Sequence, residues 1–189
     1  MTTVAIPAWN PQGLLPPIDV LNPTSVERSP YRVALTDVMV RFATSKERRQ
    51  ILRGWLGYRA ALHGMGLTDG FQWLDGSFLE QVETLENRAP QDMDVVTFLN
   101  PPAGFAPSQP QMAVLDNGAA KQAFRVDSYL VDLNLPADDL IERCTYWYSM
   151  WSHRRNQTWK GYLEVDLNPA HDPQALDYLN QQDASGAQP

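Results

Sequence analysis

The sequence predicts an α/β fold of the α+β kind, in which a small, mixed, twisted sheet of four or five strands is flanked on one side by two long helices. Apolar residues recur at helical spacing in residues 45–63 and 136–152, which predicts the two helices. Four segments rich in β-branched and aromatic residues predict the strands, at 71–74, 94–99, 124–131 and 159–167. The 189 residues suit one domain rather than two.

The two ends of the chain differ from this central region. The first 34 residues are rich in proline and lack periodicity, so they predict an extended segment. This segment has apolar residues that can pack against a domain, namely Leu14, Leu15, Ile18 and Val20. We therefore expect residues 1–34 to pack on a domain that spans residues 35–167. Residues 168–189 are polar and predict a loose C-terminal tail.

The helical segments have recognisable boundaries and faces. A short helix is predicted for residues 35–42, and the long helix after it has Thr44 and Glu47 at the spacing of a capping box. Gly64 or Gly66 can adopt the left-handed conformation that ends a helix. The second long helix has one apolar stripe, made of Leu140, Cys144, Trp147 and Trp151.

The composition excludes several classes of function. A net charge of −7 gives no overall attraction for nucleic acid or anionic membranes. The single cysteine, Cys144, rules out an internal disulfide and a cysteine-rich zinc site. No stretch approaches the roughly 18 uninterrupted apolar residues of a membrane span, and the first residues lack the pattern of a signal peptide. We expect a cytoplasmic protein with no membrane contact.

Three aspartates are candidates for a metal site. Asp92 and Asp94 stand two residues apart at the start of a predicted strand, so both side chains point to one face. Asp127 lies within the next predicted strand, where an unpaired buried carboxylate would be costly. Carboxylate oxygens are the ligands that Mg²⁺ or Mn²⁺ prefers. The three side chains therefore predict a site for such an ion at one edge of the sheet.

A turn between strand and helix is a candidate phosphate site. Gly76 lets a phosphate approach the backbone, and the Ser77 hydroxyl and the N-terminus of a helix predicted at residues 78–87 can bind it. Asp75, directly before the turn, is a further candidate for orienting it. Cations that can pair with a triphosphate cluster before the last strand, namely Arg154, Arg155 and Lys160.

Each of these signals also has an ordinary structural explanation. An Asp-x-Asp pair at a strand edge is usually surface charge, and a serine before a helix is usually an N-cap. A Ser-His-Asp hydrolase is disfavoured because the chain lacks the G-x-S-x-G turn around Ser77. The order strand, Gly-Ser, helix, Asp-x-Asp strand, Asp strand favours the metal and phosphate interpretation, because one geometry explains all three features.

This order of residues resembles the nucleotidyltransferase superfamily of the DNA polymerase β type. The segments GFQWLDGSFLEQVE, PQDMDVVTF, FRVDSYLVD and WKGYLEV, together with an early G-LPP and SPY, resemble more closely a family of small bacterial proteins, the DUF6932 family. The resemblance covers roughly residues 5–167 and implies a minimal nucleotidyltransferase fold.

The superfamily resemblance implies the following roles. Gly76 and Ser77 would bind the triphosphate. Of the cations before the last strand, we expect Lys160 to bind the nucleotide with them. Asp92, Asp94 and Asp127 would be both metal ligands for Mg²⁺ or Mn²⁺ and catalytic residues, with Asp127 helping to deprotonate the acceptor hydroxyl. The implied reaction moves a nucleoside monophosphate from a nucleoside triphosphate to a protein, an RNA end or another nucleotide.

Small enzymes of this superfamily often act in bacterial toxin–antitoxin or antiviral systems. A chain this short has little room for a separate acceptor-binding domain, so we expect a protein partner, or a second copy in a homo-oligomer, to complete the site. Nucleic acid stays open as an acceptor, because a local basic patch can override the acidic net charge.

The spacing between Ser77 and Asp92 supports a rival hypothesis. Fourteen residues separate them, more than in many minimal members of the superfamily. If this insertion displaces Ser77 from the aspartates, the chain is a catalytically silent nucleotidyltransferase fold that acts as a binding or regulatory subunit. The presence of all three aspartates favours the enzyme.

Overall fold

The computed structural model describes residues 2–186 and has the α+β architecture that the sequence predicts. The five strands are β1 (Tyr31–Arg32), β2 (Gly70–Asp75), β3 (Met93–Leu99), β4 (Val126–Asp132) and β5 (Leu163–Asp166). The helices are α1 (Leu35–Phe42), α2 (Lys46–Gly64), α3 (Val82–Leu85), α4 (Gln109–Leu115), α5 (Asn117–Phe124), α6 (Ala137–Trp151) and α7 (Asp172–Gly186). No helix within residues 2–186 is long and apolar enough to cross a membrane.

The sheet is mixed, with strand order β1-β5-β2-β3-β4. Strand β2 runs antiparallel to both of its neighbours, β3 and β5, whereas β3 pairs with β4 and β1 pairs with β5 in parallel. Because β3 and β4 begin at the edge where β2 ends, residues at the end of β2 meet residues at the start of the other two strands. This edge carries all the predicted aspartates.

The two long helices lie on opposite faces of the sheet, which corrects the expectation that both flank one side. In α2, the Trp55 indole donates a hydrogen bond to the Gln72 side chain at 2.9 Å. In α6, the Trp147 ring packs 4.6 Å from the ring of Tyr129, which shares a row across the sheet with Val96 and Trp73. Neighbouring residues such as Gln72 and Trp73 point to opposite faces, so α6 covers the Trp73 face.

The N-terminal segment is fastened to the sheet and to the turn after β2. Leu14 and Leu15 are buried, and the carbonyl of Leu15 accepts a hydrogen bond from the Gly161 amide at 2.7 Å. The Trp9 indole donates to the carbonyl of Leu79 at 2.7 Å. Val20, expected to pack, is instead exposed. The extended N-terminal segment thus holds the backbone of the turn at Leu79, two residues after Ser77.

The C-terminal tail is not loose over the described residues, and here the sequence expectation is wrong. Residues 172–186 form α7, whose Ala175 and Leu179 are fully buried. Asp183 on this helix pairs with Arg49 and Arg53 of α2, at 2.5 and 2.7 Å. Asp172, at the start of the helix, pairs with buried Arg59 at 2.7 Å. Two buried apolar side chains and ion pairs at long sequence separation thus dock a helix that is otherwise polar.

Truncation of Leu179 tests this packing. Leu179→Ala is expected to lower the free energy of unfolding by roughly 2–5 kcal/mol, because it leaves a cavity in a fully buried position. Urea denaturation followed by circular dichroism measures the change. Leu176→Ala, on an exposed position of the same helix, is the matched control and should cost much less. Equal costs would contradict the docking of α7.

Candidate functional site

A row of carboxylates crosses three strands at the edge where β2 ends. Asp75 is paired with Asp94 across β2 and β3, and Asp94 is paired with Asp127 across β3 and β4. Paired residues point to the same face of a sheet. Asp92, two residues before Asp94, points to that face as well. The structure therefore brings together all three predicted aspartates, and it adds Asp75.

Two lysines form ion pairs with three of these four carboxylates. The Lys160 ammonium lies 2.7 Å from both oxygens of Asp75. The Lys121 ammonium lies 2.8 Å from Oδ2 of Asp92 and 2.9 Å from Oδ2 of Asp127. The Asp94 carboxylate, between them, makes no hydrogen bond or ion pair with any residue in the described range 2–186. Asp94 is thus the carboxylate that has no cation of its own.

The charges of this row shift the pKa values of its members. Burial, followed by the carboxylates of Asp127 and Asp92, raises the pKa of Asp94 to about 6. Burial also acts to raise the pKa of Asp127, but hydrogen bonds from Asn117 and Lys121 outweigh it and leave this pKa below its ordinary value. Asp127 is therefore ionised at neutral pH, whereas the negative charge of Asp94 is disfavoured by burial and by its neighbours.

Lys160 does not present a free ammonium to the cavity beside it. It is almost fully buried and holds Asp75, with Glu80 at 3.4 Å. Burial acts to lower the pKa of Lys160, but the charges of Asp75 and Glu80 prevail and raise it. Burial raises the pKa of Asp75 to about 7 against the opposing charge of Lys160. The residue predicted to bind nucleotide is thus engaged in a buried ion pair.

Gly76 lies directly against Asp94, so the turn is in register with the aspartates despite the fourteen intervening residues. Its φ angle is +87°, and a methyl group at this position would lie 2.8 Å from Oδ2 of Asp94. Only glycine combines that backbone conformation with so close an approach. The pairing of β2 with β3 sets the register, and the extra residues form the loop before Asp92.

The segment after Gly76 is not the continuous helix that the sequence predicts. Ser77–Leu79 form a single 3₁₀ turn, and α3 begins only at Val82. Buried Arg48 accounts for the break, because it donates to the carbonyls of Phe78 and Glu80 at 2.6 and 2.7 Å. The Ser77 hydroxyl makes no hydrogen bond within the described part of the chain. Phosphate binding at this turn would rest on that hydroxyl and on local backbone N–H groups, without a long helix behind them.

Gly76→Ala tests the close packing of the turn. The substitution is expected to cost roughly 1–3 kcal/mol of unfolding free energy, because alanine is strained at this φ and its methyl group meets Asp94. Urea denaturation measures the loss. Gly104→Ala, also at positive φ but in open space, is the control for strain alone. A loss no larger than that of the control would contradict the contact with Asp94.

A cavity of about 580 Å³ opens above the turn. Its lining includes Gly76, Ser77, Asp94 and Glu80. It also includes four basic side chains, here called the basic wall, from Arg88, His153, Arg154 and Arg155. Arg154 pairs with Glu80 and Glu86, whereas Arg155 is exposed and forms no ion pair with another described residue. The structure thus brings the predicted arginines and the predicted Gly-Ser turn to the same cavity.

The donor set suits a hard divalent cation, although no three acidic, histidine or cysteine side chains within residues 2–186 stand close enough together to hold a metal as placed. The Lys121 ammonium lies between the carboxylates of Asp92 and Asp127, in the space that a metal ion would need. The two carboxylates already close around one positive charge, and Asp94 shares their face. Asp92, Asp94 and Asp127 carry the oxygen ligands that Mg²⁺ or Mn²⁺ prefers, so they are the residues that would hold such an ion.

Sequence reasoning missed Lys121 and Asn117. Both lie on α5 one helical turn apart, and the Asn117 amide and the Lys121 ammonium both donate to Asp127. The sequence signal is two polar donors four residues apart, a spacing that puts both on one side of a helix. It could be recognised only once α5 was known to pack beside β4.

The chain was compared with known proteins. The model of a family described as a family of unknown function, DUF6932, matches residues 7–166. That range includes all five strands, the row of aspartates and the basic wall of the cavity. No curated protein and no solved structure matches the chain.

Proposed function

The chain belongs to the DUF6932 family, and we propose that it is a metal-dependent nucleotidyltransferase, which moves a nucleoside monophosphate from a nucleoside triphosphate to an acceptor. The observation that carries the proposal is the Asp94 carboxylate. It lies between two other carboxylates, lines the cavity beside Gly76, and is the member of the row without a cation.

Each residue has a defined part in this reaction. Asp92, Asp94 and Asp127 would hold Mg²⁺ or Mn²⁺, which neutralises phosphate charge when bound. The Ser77 hydroxyl would donate a hydrogen bond to a phosphate oxygen, and Arg154 and Arg155, which line the same cavity, would bind the phosphates. Because the pKa of Asp127 is lowered, its carboxylate stays charged and can accept a hydrogen bond from the acceptor hydroxyl.

The acceptor is expected to be a hydroxyl of a protein, an RNA end or another nucleotide. The negative net charge disfavours long nucleic acid, so a protein partner or a second copy of this chain is the acceptor we favour. Toxin–antitoxin or antiviral systems are the setting that the superfamily resemblance suggests, and a cytoplasmic location fits that setting.

The test uses the whole chain with each of the four α-labelled nucleoside triphosphates. Pyrophosphate release and label transfer are expected with Mg²⁺ or Mn²⁺, and both should disappear with chelator and in Asp92→Ala/Asp94→Ala. Asp132→Asn, at the far end of β4, is the matched control and should keep both activities. Release that persists in the double variant would contradict the assignment of the aspartates.

A silent binding or regulatory subunit is the second candidate, and one observation favours it. Lys121 already pairs with both Asp92 and Asp127 without a metal, as in a carboxylate site that no longer needs one. If the chain releases no pyrophosphate from any of the four triphosphates, either alone or with a protein partner, the silent subunit is supported and the enzyme is rejected.

A further inference from the structure

The row of carboxylates pairs with one ammonium group that comes from a helix rather than from the sheet. Lys121 projects from α5, and its Nζ lies 2.8 Å from Asp92 and 2.9 Å from Asp127. Asn117, one turn earlier on the same helix, donates to the other oxygen of Asp127. Helix α5 therefore brings a cation to two of the three carboxylates that would hold a metal.

We propose that Lys121 is an internal counter-ion that competes with the divalent metal for Asp92 and Asp127, and that metal binding displaces it. This inference rests on the proposed function, because it needs a metal at those carboxylates. The ammonium and the metal require the same oxygens, and two positive charges repel each other at such short separation.

Lys121 is able to leave, whereas the other lysine of the site is not. The Lys121 side chain is 46% exposed, and its flexible stem allows the ammonium to swing into solvent while α5 stays in place. The Lys160 side chain is only 8% exposed and binds both oxygens of Asp75. The acidic row thus has one fixed cation and one exchangeable cation.

The exchangeable cation has a consequence for metal affinity. Without metal, Lys121 limits the repulsion between Asp92 and Asp127 and keeps these carboxylates beside each other. Each metal ion that binds must first break two ion pairs, so the apparent affinity of the wild-type chain is reduced by the stability of those pairs. Removing the ammonium should therefore tighten metal binding, which is opposite to the effect of removing a group that supports the site.

The first experiment measures Mn²⁺ affinity by titration calorimetry of the whole chain. Lys121→Met is expected to bind Mn²⁺ about tenfold more tightly than the wild type. The chain contains one further lysine, Lys46, which is exposed at the start of α2, so Lys46→Met is the matched control and should bind as the wild type does. Lys121→Gln serves as a second variant should the methionine disturb folding.

The second experiment detects the displacement in the wild-type chain itself. Acetylation of the three lysines, followed by mass spectrometry, should be slow at Lys121 without metal and several-fold faster with Mn²⁺, while Lys46 is unaffected. Metal binding by the wild type with unchanged or weaker binding by Lys121→Met would overturn the role of Lys121 and leave the proposed function standing. No Mn²⁺ binding by any variant would overturn both.

Discussion

Asp94→Asn is expected to reduce metal-dependent pyrophosphate release by roughly a thousandfold or more. Asp94 is the central carboxylate of the row, and it lines the cavity beside Gly76. An amide keeps the size of the side chain but removes the charge on which a divalent cation depends. Single-turnover assays with labelled triphosphate measure the loss, and Asp132→Asn is the control.

The same substitution should stabilise the fold, so a loss of activity in this variant cannot be due to unfolding. In metal-free buffer at pH 8, Asp94→Asn is expected to raise the free energy of unfolding by roughly 1 kcal/mol or more, because the buried charge and its repulsion by Asp127 and Asp92 disappear. The pKa of Asp94 is raised in the folded chain, so its charge destabilises the fold fully above pH 6. The advantage should therefore shrink as the pH falls from about 6 to about 4. A variant that is both inactive and less stable would contradict this explanation.

Four of the five strands among the described residues were predictable because their signals are local, whereas the two-residue β1 lies in the segment predicted only to be extended. Residues 94–99 are apolar and β-branched over the length of a strand, and the alternation in residues 124–131 indicates β4. The strand begins two residues later than predicted, because Phe124 ends α5, and the alternation of burial stops at Leu130, which is exposed, and Val131, which is buried. The Asp-x-Asp spacing also follows from strand geometry alone. The common face of Asp94 and Asp127 required the further assumption that their strands are neighbours, which the β3–β4 pairing confirms.

The errors concern interactions between residues that are distant in sequence. The predicted helix at 78–87 is broken because Arg48, some thirty residues earlier, takes the carbonyls of Phe78 and Glu80 that a helix would use. Helix α7 was missed because its docking depends on Asp183 meeting Arg49 and Arg53. No periodicity within either segment contains this information.

The predicted start of α2 was wrong by one residue for a similar reason. Thr44 has the spacing of a capping box with Glu47, but Ser45 is the N-cap and accepts a hydrogen bond from the Arg48 amide at 3.2 Å. This register places the Arg48 side chain beneath the Gly-Ser turn. A hydroxyl group at either position satisfies the sequence rule, and only packing distinguishes them.

Lys160→Met is expected to lower the free energy of unfolding by roughly 3–5 kcal/mol, because it leaves the Asp75 carboxylate buried without a partner. Glu80 loses the same ammonium at 3.4 Å. Urea denaturation at pH 8 measures the loss. Arg88→Met, which breaks an exposed ion pair with Glu86, is the control and should cost no more than about 1 kcal/mol.

A double-mutant cycle then separates the fold from phosphate binding. Asp75→Asn/Lys160→Met is expected to recover much of the lost stability, because both charges of the buried pair are removed and Glu80 keeps Arg154 at 2.8 Å. If Lys160 acts only by holding Asp75, the stable double variant should bind a non-hydrolysable triphosphate analogue nearly as well as the wild type. A loss of analogue affinity that persists after stability is recovered would instead assign Lys160 to the phosphates, as the sequence predicts. The cycle thus decides whether the buried lysine is part of the scaffold beneath Gly76 or a ligand of the nucleotide.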